Sequence, residues 1–352
     1  MSAAVATLDA FRDAPKELVR EDVGPGAVIP PGKPQFKLLK EIGSGQFGSV
    51  YTAMSASDQL VAVKLTWSTD GQLRKTFKES RLTKAVHERL GEYGLVPEFL
   101  AEIAFVLKEL GRAPSPRGYR PVCSALVMEC IDGVNLWILR WTAWDLGQPL
   151  TMDHIGLIYR DLAIALNYLH SGSPQLLHRD IKAENIMADA DGRVVLCDFG
   201  LGRKLTAEEW AAQTICGTQI TQAPELHADP GKVSYSSPVD IWALATTMVA
   251  VATGVDLPYS LLAPYERVAF WKSHTEIPIP EDMPPALAEV TQACLQHSPA
   301  SRPTAEALLA FPLLSARPNS DELRREIGGV VVRAPEYGDV FEVVGRSRRV
   351  RV

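Results

Sequence analysis

The predominant period of the hydrophobic pattern changes from strand-like to helical near Cys130–Asn135. Before this point, short apolar runs such as FKLLKEI, SVYTAM and LVAVKLTW are separated by glycine or polar turns, which is typical of β-strands. One helical pattern follows these runs, with apolar residues at Leu73, Phe77, Leu82, Val86 and Leu90. After the change, stretches such as HIGLIYRDLAIALNYLH place their apolar residues on one helical face. A strand-rich half followed by a helix-rich half predicts an α+β protein with two lobes.

Composition excludes several classes of protein. The 352-residue chain has 46% hydrophobic and 22% charged residues and a net charge of −6, so we expect no nucleic-acid partner. Its five cysteines lack CxxC spacing, which fits a reducing compartment better than a disulfide framework. The first residues do not resemble a secretory signal, and no apolar run reaches the roughly 18 residues of a membrane span. We expect a cytoplasmic protein, with a nuclear location left open and the oligomeric state undetermined.

The stretch GSGQFGSV lies between two predicted strands. Its glycines, Gly43, Gly45 and Gly48, allow the backbone to approach phosphates closely. The pattern is weak alone, because it also marks dinucleotide sites and because glycine-rich hairpin turns are common. A dinucleotide fold requires a helix directly after the glycines, whereas SVYTAM has the pattern of a strand.

Lys64 ends the apolar strand sequence VAVK. An ammonium within such a strand is costly unless it is paired. Glu79, in the following helical segment, is the preferred partner, and Glu88 is the alternative. A lysine on an edge strand that faces solvent is the simpler interpretation.

The segment LLHRDIKAENIM concentrates charged and amide side chains between apolar ends, which predicts a fixed loop rather than a solvated charge run. A predicted hairpin with its turn at Asp191–Gly192 follows and can fold Asp198 back beside this loop. Oxygens from Asp198 and Asn185 suit a hard divalent cation that also holds phosphate oxygens. Asp180 is then left to accept the proton of a substrate hydroxyl, while Lys182 supplies positive charge to a transferring phosphoryl group.

In order, the chain contains GSGQFGSV, VAVK, HRDIKAEN, DFG and APE. This set resembles the signature of the eukaryotic-type protein kinases over roughly residues 34 to 316. The resemblance implies a bilobal fold, with a small antiparallel sheet and one main helix in the N-lobe and a larger, mainly helical C-lobe. The implied boundaries are an N-terminal arm at 1–34, a kinase domain at 35–316 and a C-terminal tail at 317–352, the lobes covering about 35–130 and 136–316.

The resemblance implies ATP and Mg²⁺ as cofactors and protein substrates as partners. Met128 would be the gatekeeper, and the backbone of Glu129, Cys130 and Ile131 would meet the adenine edge. The base would also contact apolar side chains that otherwise pass as ordinary core: Ile42, Val50, Ala62 and Met187. Asp240 would hold the backbone of the catalytic loop, and Arg302 would form a structural ion pair with Glu225.

The sequence HRDIKAEN resembles that of serine/threonine kinases, because tyrosine kinases usually carry an AAR-like stretch after HRD. Thr218 matches the threonine that contacts Asp180 and Lys182 in that group. Thr214 stands where many such kinases are phosphorylated. Arg179 and Arg203 are expected to pair with a phosphate there and to order the loop. The alternative is an unmodified loop threonine.

The chain also departs from the family pattern. Thr221 replaces the usual tyrosine before APE, which affects the peptide-docking surface rather than the phosphoryl chemistry. Ala245 replaces a glycine, and Asn135 stands where an acid that contacts ribose or arginine often lies. The tryptophans of LWILRWTAWDL are expected to pack in the core, with partner docking as the alternative.

The leading hypothesis is a Mg-ATP-dependent serine/threonine protein kinase that uses Asp180 as catalytic base and is activated by phosphorylation at Thr214. A pseudokinase scaffold is the second hypothesis, and the intact Lys64, Glu79, Asp180, Asn185 and Asp198 argue against it. A small-molecule kinase on a related fold is the third. It is disfavoured because APE and the Thr218 region are typical of kinases that bind peptides.

Overall fold

The computed structural model describes most of the chain in two compact units. The described residues are 18–19, 24–29, 35–45, 48–68, 78–108, 122–206, 211–212, 216–227, 234–257, 259, 262–273, 277–315 and 319–334. The first unit comprises Met1–His87 and Pro97–Ile131, and the second comprises Glu88–Val96 and Asp132–Val352. The division after Ile131 lies within the predicted junction, whereas the grouping of Glu88–Val96 with the second unit was not predicted.

The first unit is built on a sheet. Its strands are β1 (Leu18–Val19), β2 (Val28–Ile29), β3 (Phe36–Gly45), β4 (Gly48–Ser55), β5 (Leu60–Ser68), β6 (Phe99–Lys108) and β7 (Val122–Glu129). Within the described residues they form seven strands in the order β1–β6–β7–β5–β4–β3–β2. Only the β1–β6 pair is parallel, and the other neighbours are antiparallel. The three strands predicted from FKLLKEI, SVYTAM and LVAVKLTW are therefore confirmed.

Every second side chain along a strand points to the same face of the sheet, and the apolar ones on one face form the core of the first unit. In β5, Val61, Val63 and Leu65 are at most 1% exposed and belong to one buried cluster with Leu38 of β3 and Val127 of β7. Burying such side chains contributes about 1.5–3 kcal/mol each relative to leaving them in water. This core fixes the strand register, since a slip by one residue would turn the apolar face towards solvent.

Helix α1 (Lys78–Leu90) carries part of the predicted helical pattern. Leu82, Val86 and Leu90 are buried as expected. The first two members of the pattern, Leu73 and Phe77, lie outside the described residues.

The second unit is mainly helical, as predicted. Its helices are α2 (Leu136–Asp145), α3 (Met152–Ser171), α4 (Pro238–Thr253), α5 (Pro264–Ser273), α6 (Pro285–Cys294), α7 (Ala305–Leu308) and α8 (Ser320–Val331). Its short strands are β8 (Gly133–Asn135), β9 (Gln175–Leu177), β10 (Ile186–Asp189), β11 (Val194–Leu196) and β12 (Arg203–Leu205). Strands β11, β10 and β8 form one sheet, and β12 pairs with β9.

Helices α3 and α4 have different sequence patterns for a physical reason. Helix α3 is amphipathic, and the side chain of Thr151 caps it by accepting from the amide of His154. Helix α4 is buried along most of its length, which explains why its sequence is apolar nearly all round. Its Trp242 packs with Tyr259 and Trp271 at ring-centroid distances of 5.8 and 5.5 Å.

The expectation that the tryptophans of α2 pack in the core is wrong for Trp144, which is 62% exposed. The side chains that α2 buries are Leu136, Ile138, Leu139, Thr142 and Ala143. Trp137 and Trp141 are half-buried and meet edge-on, so the packing face of the helix ends before Trp144. Asn135 precedes this helix and caps it, because its Oδ1 accepts from the amide of Ile138 at 2.9 Å.

Regular elements occur within both segments that the sequence analysis placed outside the domain. Strand β2 falls in the predicted arm, and its Ile29 is completely buried against the sheet. Helix α8 falls in the predicted tail and buries Leu323, Ile327 and Val330. The last turn of this helix contains GGVV of the run GGVVV, and its Val330 and Val331 are buried, whereas Val332 follows the helix and is 72% exposed. The arginine-rich end of the tail lies outside the described residues.

No helix in the described part of the chain combines the length and the apolar character that would let it cross a membrane.

The burial of Ile29 makes strand β2 testable. Replacing Ile29 by Ala should lower the free energy of unfolding by about 2–5 kcal/mol, because the substitution leaves a cavity in the sheet core. The neighbouring Val28 is 43% exposed, so Val28→Ala should change stability by no more than about 0.5 kcal/mol. Urea unfolding followed by fluorescence measures both values. Equal effects of the two substitutions would contradict the placement of β2.

Candidate active site

The catalytic-loop backbone is held by one buried carboxylate. Asp240, on the first turn of α4, is completely buried. Its Oδ2 accepts from the amide of His178 at 3.0 Å, and its Oδ1 accepts from the amide of Arg179 at 2.8 Å. The ring nitrogen Nε2 of His170 lies 2.9 Å from Oδ2. The contact between Asp240 and the loop backbone that the resemblance implied is therefore present.

His178 fills the space beneath the loop, and its hydrogen bonds define its tautomer. Its Nε2 lies 3.0 Å from the carbonyl oxygen of Cys197, so Nε2 must carry the proton and donate. Its Nδ1 then accepts from the amide of Asp180 at 3.3 Å. The ring also meets Phe199 edge-on, with centroids 4.9 Å apart. One neutral imidazole thus ties the loop to the DFG segment.

The carboxylate of Asp180 is oriented by groups from two directions. Its Oδ1 accepts from both the amide and the hydroxyl of Thr218, at 2.8 and 2.7 Å. Its Oδ2 accepts from Nδ2 of Asn185 at 3.0 Å and lies 3.1 Å from Nζ of Lys182. Hydrogen bonds to both oxygens hold the side chain in one rotamer. Asp180 is only 7% exposed.

Lys182 and Thr218 complete this cluster. Nζ of Lys182 donates to the Thr218 hydroxyl oxygen at 2.8 Å, while that hydroxyl donates its own proton to Asp180. The ammonium of Lys182 therefore contacts the side-chain oxygens of both Asp180 and Thr218. The three predicted catalytic residues form one hydrogen-bonded group in the second unit.

Asn185 and Asp198 have the donor atoms that a magnesium ion prefers. The Nδ2 group of Asn185 donates to two oxygens of Asp180, so its amide oxygen is turned to the opposite side and can accept a cation. Asp198 has a left-handed backbone with φ of 63° and an exposed side chain, whose Oδ1 accepts from the amide of Gly200 at 3.2 Å. These two oxygen donors fit a hard divalent cation.

Strands β10 and β11 join the segments that carry these two residues. They pair through Ile186 and Leu196, and the amide of Cys197 donates to the carbonyl of Asn185 at 2.8 Å. The turn at Asp191–Gly192 lies where the sequence predicted it. Met187, a predicted adenine contact, lies on β10 opposite Val195.

Arg179 has partners that the sequence did not predict. Its backbone is left-handed, with φ of 69°. Its Nε donates to the carbonyl of Leu201 at 2.7 Å, and its Nη1 donates to the hydroxyl of Tyr235 at 2.9 Å. Thr214, the predicted phosphorylation site, lies outside the described residues. An isolated tyrosine in a loop carries no motif, so no sequence signal could have identified Tyr235.

In the first unit, the structure contains the predicted ion pair between Lys64 and Glu79. Nζ of Lys64 lies 2.6 Å from Oε1 of Glu79, and the two side chains are 9% and 12% exposed. Strand β5 lies in the middle of the sheet, so the edge-strand alternative is wrong. Glu79 rather than Glu88 is the partner.

The remaining predicted cofactor contacts of the first unit lie on four strands of its sheet or directly after one of them. Ile42, Gly43 and Gly45 are on β3, and Gly48 and Val50 begin β4. Gly45 pairs with Gly48, so the glycine-rich stretch is a hairpin connection and no helix follows it. Ala62 on β5 lies opposite Met128 on β7. Glu129 ends β7, and Cys130 and Ile131 follow it.

The segment after Thr218 is held by side chains that the sequence analysis missed. Arg267, on α5, makes two hydrogen bonds to Gln219: its Nη1 donates to the backbone carbonyl, and its Nη2 donates to Oε1 at 3.4 Å. Its Nε donates to the carbonyl of Leu262 at 2.9 Å. Arg267 is only 4% exposed, and burial lowers the pKa of its guanidinium. Thr221, at the position of the family's tyrosine, donates to the carbonyl of Thr218 at 3.1 Å.

Glu225 and Arg302 form a bidentate ion pair, as the resemblance implied. Both nitrogen–oxygen distances are 2.7 Å, and the guanidinium is completely buried. Arg302 also donates to three backbone carbonyls and lies over the ring of Trp242, 4.9 Å from its centroid. Because every donor direction is used, the pair fixes the APE segment against α4.

Comparison with known proteins identifies the class. The family model described as "Protein kinase domain" matches residues 36–314. The chain belongs to the protein kinase family, and the α+β kinase fold predicted from its motifs is confirmed.

A relative in the curated set is similar to most of the chain. It is "Serine/threonine-protein kinase 4 homolog A" of Dictyostelium discoideum, which is 29% identical over 291 residues. The match covers 80% of this chain and 55% of that protein, so the chain spans about half the length of the curated relative it matches.

The buried carboxylate of Asp240 predicts a pH dependence of stability. Burial alone raises the pKa of Asp240, but the hydrogen bond with His170 and the interactions with His178 outweigh burial, so the pKa lies below its ordinary value. The ionised carboxylate therefore contributes stability above about pH 4, and this contribution is lost as the pH falls through the depressed folded-state pKa. Asp240→Asn should destabilise the protein most at neutral pH and progressively less in acid.

Urea unfolding between pH 3 and pH 7 measures this difference. The matched control is Asp145→Asn, which removes an exposed carboxylate. A destabilisation by Asp240→Asn that stays constant across this pH range would contradict the role of the charge.

Proposed function

We propose that this protein is a serine/threonine protein kinase that transfers the γ-phosphoryl group of ATP to hydroxyl groups of protein substrates. The observation that carries the proposal is the hydrogen-bonded group of Asp180, Lys182 and Thr218 beside Asn185. The similarity to a serine/threonine kinase supports the choice of an aliphatic hydroxyl as acceptor. The HRDIKAEN stretch supports the same choice.

Asp180 acts as the catalytic base. Its oxygens accept hydrogen bonds from Thr218 and Asn185, which orient the carboxylate without neutralising its charge. A substrate hydroxyl that reaches Oδ2 can donate its hydrogen bond there and lose its proton as the phosphoryl group is transferred. Lys182, which already contacts that oxygen, places its ammonium where the attacking oxygen and the phosphoryl oxygens carry negative charge.

Asn185 and Asp198 are the proposed metal ligands of the second unit. When bound, Mg²⁺ neutralises charge on the phosphate oxygens and orients them for in-line transfer. The amide orientation of Asn185 supports this role, because its Nδ2 group is committed to Asp180. The exposed carboxylate of Asp198 supplies the second oxygen donor.

The first unit carries the proposed contacts to the nucleotide itself. Lys64, oriented by Glu79 at 2.6 Å, is proposed to bind phosphate oxygens. The glycines of the β3–β4 hairpin are proposed to approach the same phosphates through their amides. Ala62 and Met128, opposite each other on β5 and β7, are proposed to face the base.

The base role of Asp180 is tested by measuring transfer of radiolabelled phosphate from ATP to protein. Asp180→Asn keeps the size of the side chain but removes the base, so the transfer rate should fall by about 10²–10⁴-fold. Glu184→Gln is the matched control, because Glu184 is an exposed carboxylate on the same loop, and it should leave the rate nearly unchanged.

The same assay separates the alternatives. Transfer to small molecules but not to protein would indicate a small-molecule kinase. Nucleotide binding without any transfer by the wild type would indicate a pseudokinase scaffold. Either result would contradict the proposal.

Phosphorylation of Thr214 is the proposed activating step. Arg179 lies in the same unit, and its present contacts use Nε and Nη1, two of the nitrogens of a guanidinium with five N–H donors. A phosphate at Thr214 would recruit the remaining donors of Arg179, would attract the guanidinium of Arg203, and would order the segment before Thr218.

Thr214→Ala should therefore lower kcat by about tenfold relative to phosphorylated wild type. Mass spectrometry of the wild type establishes the phosphorylation stoichiometry at this residue. Thr206→Ala, which removes another threonine between DFG and APE, is the control. Undiminished activity of the Thr214 variant would rule out the switch.

Arg267 is expected to affect the acceptor rather than the nucleotide. Gln219 directly follows Thr218, whose hydroxyl contacts Asp180, so an acceptor residue must lie close to this segment. Arg267→Met should raise the KM for a peptide acceptor by roughly fivefold or more, because it removes the charged donors that hold Gln219. The KM for ATP should not change.

Arg325→Met, which removes an exposed arginine, is the control for Arg267. Equal changes in both KM values would contradict a role confined to the acceptor.

Two further elements of the function are proposals. The partners are protein substrates, and the negative net charge of −6 supports the expectation of no nucleic-acid partner. A cytoplasmic location is proposed because the five cysteines are dispersed and lack CxxC spacing.

A further inference from the structure

Helix α8 (Ser320–Val331) lies beyond residue 314, where the match to the protein kinase family model ends. It nevertheless contacts the turn between β10 and β11, the two strands that join the segments of the proposed metal ligands. Its buried side chains include Leu323, Ile327 and Val330, so the helix packs with an apolar face. Polar contacts from the middle of the helix join it to neighbouring elements of the second unit.

Arg324 makes the central contact. Its Nη2 lies 2.7 Å from Oδ2 of Asp161 on α3, and its Nη1 donates to the carbonyl of Gly192 at 3.1 Å. Asp161 is 3% exposed, and the guanidinium of Arg324 is its hydrogen-bonded charge partner. One side chain therefore links α3, α8 and the turn between β10 and β11.

Two glycines allow the backbones to approach closely. A Cβ atom on Gly192 would lie 2.0 Å from the carbonyl oxygen of Arg324, and one on Gly328 would lie 2.0 Å from the carbonyl oxygen of Ala190. Gly192 also has a φ of +72°, which disfavours other residues. The turn and the helix thus touch backbone to backbone.

The turn itself is stiff. Asp189 Oδ1 accepts from the amides of Asp191 and Arg193 at 3.0 and 2.9 Å, and Asp189 Oδ2 lies 2.8 Å from Nε of Arg193. Because β10 begins directly after Asn185 and β11 ends two residues before Asp198, a displacement of this hairpin moves both residues.

We propose that α8 is a positioning element for the catalytic machinery, and that Arg324 is the positioning residue through which it holds the β10–β11 hairpin and hence Asn185 and Asp198. The proposal rests on the proposed function, in which these two residues bind the metal. Arg324 itself touches neither of them. Its effect is to limit the movement of the hairpin that joins them.

The test compares four full-length variants with the wild type. Arg324→Met removes both contacts and leaves the buried carboxylate of Asp161 without its hydrogen-bonded ion-pair partner. Asp161→Asn/Arg324→Met removes the buried charge as well, so it should regain stability while the contact with Gly192 remains absent. Asp161→Asn alone keeps the contact between Arg324 and Gly192. Arg325→Met is the matched control, because Arg325 is an exposed neighbour whose Nε, among the described residues, donates to the carbonyl of Asp321 at 3.3 Å.

Hydrogen exchange of the backbone amides of residues 189–196 is the primary readout, and it does not require activity. Exchange should be about tenfold faster in Arg324→Met and in the double variant than in Arg325→Met, because a charge-assisted hydrogen bond to the turn is lost. Urea unfolding should show that the double variant is more stable than the single Arg324→Met variant. Titration of Mg²⁺ in the presence of ADP should show weaker metal binding in Arg324→Met and in the double variant than in the wild type.

Normal exchange in the hairpin of the double variant, together with its regained stability, would overturn the proposal, because Arg324 would then act only by neutralising Asp161. Wild-type rates of exchange in Arg324→Met would overturn it as well. A wild type that neither binds Mg-ADP nor transfers phosphate would contradict the proposed function, and the exchange comparison would still decide whether α8 holds the hairpin.

Discussion

The buried carboxylate of Asp240 is the interaction on which the rest of the candidate active site depends. It belongs to a helix that is buried along most of its length, so it cannot follow the movements of a surface loop. It accepts hydrogen bonds from the amides of His178 and Arg179, the two residues that precede Asp180. A buried carboxylate without such donors would be strongly destabilising. The fold and the loop are therefore coupled: the helix core determines the position of Asp240, and Asp240 determines the backbone path into the proposed base.

The charged side chains around Asp240 are also paired with groups that compensate for their burial. Asp180 contacts Lys182, and Glu225 contacts Arg302. Asp180, Lys182 and Arg302 also make hydrogen bonds to neutral donors or acceptors. Removing one member of such a pair leaves an unpaired buried charge, whereas removing both has a smaller effect. Arg267 differs, because its hydrogen bonds within the described residues go to neutral oxygens. We interpret that arrangement as a local requirement to hold Gln219, next to the residue that orients Asp180.

Much of the site could be predicted because its residues occur in ordered motifs on predictable elements. The pairing of Lys64 with Glu79 followed from the cost of a buried ammonium, and the hairpin that carries Asp198 followed from its turn residues. The contacts of Arg179 with Tyr235 and of Arg267 with Gln219 could not be predicted, since they join single residues far apart in the chain without a local pattern. The exposure of Trp144 was missed for a related reason. Apolar spacing predicts a helical face, but tertiary packing decides which face is buried.

The central claim is that Asp240 acts on phosphoryl transfer by holding the loop that presents Asp180. A double-mutant cycle tests it most directly, with single-turnover transfer rates measured for the wild type, Asp180→Asn, Asp240→Asn and the double variant, each corrected for its folded fraction. If Asp240 acts through Asp180, the double variant should transfer phosphate no more slowly than Asp180→Asn alone, because residues that act as a unit are not additive. If the two losses multiply instead, Asp240 contributes to the rate independently of the base, and the account is contradicted.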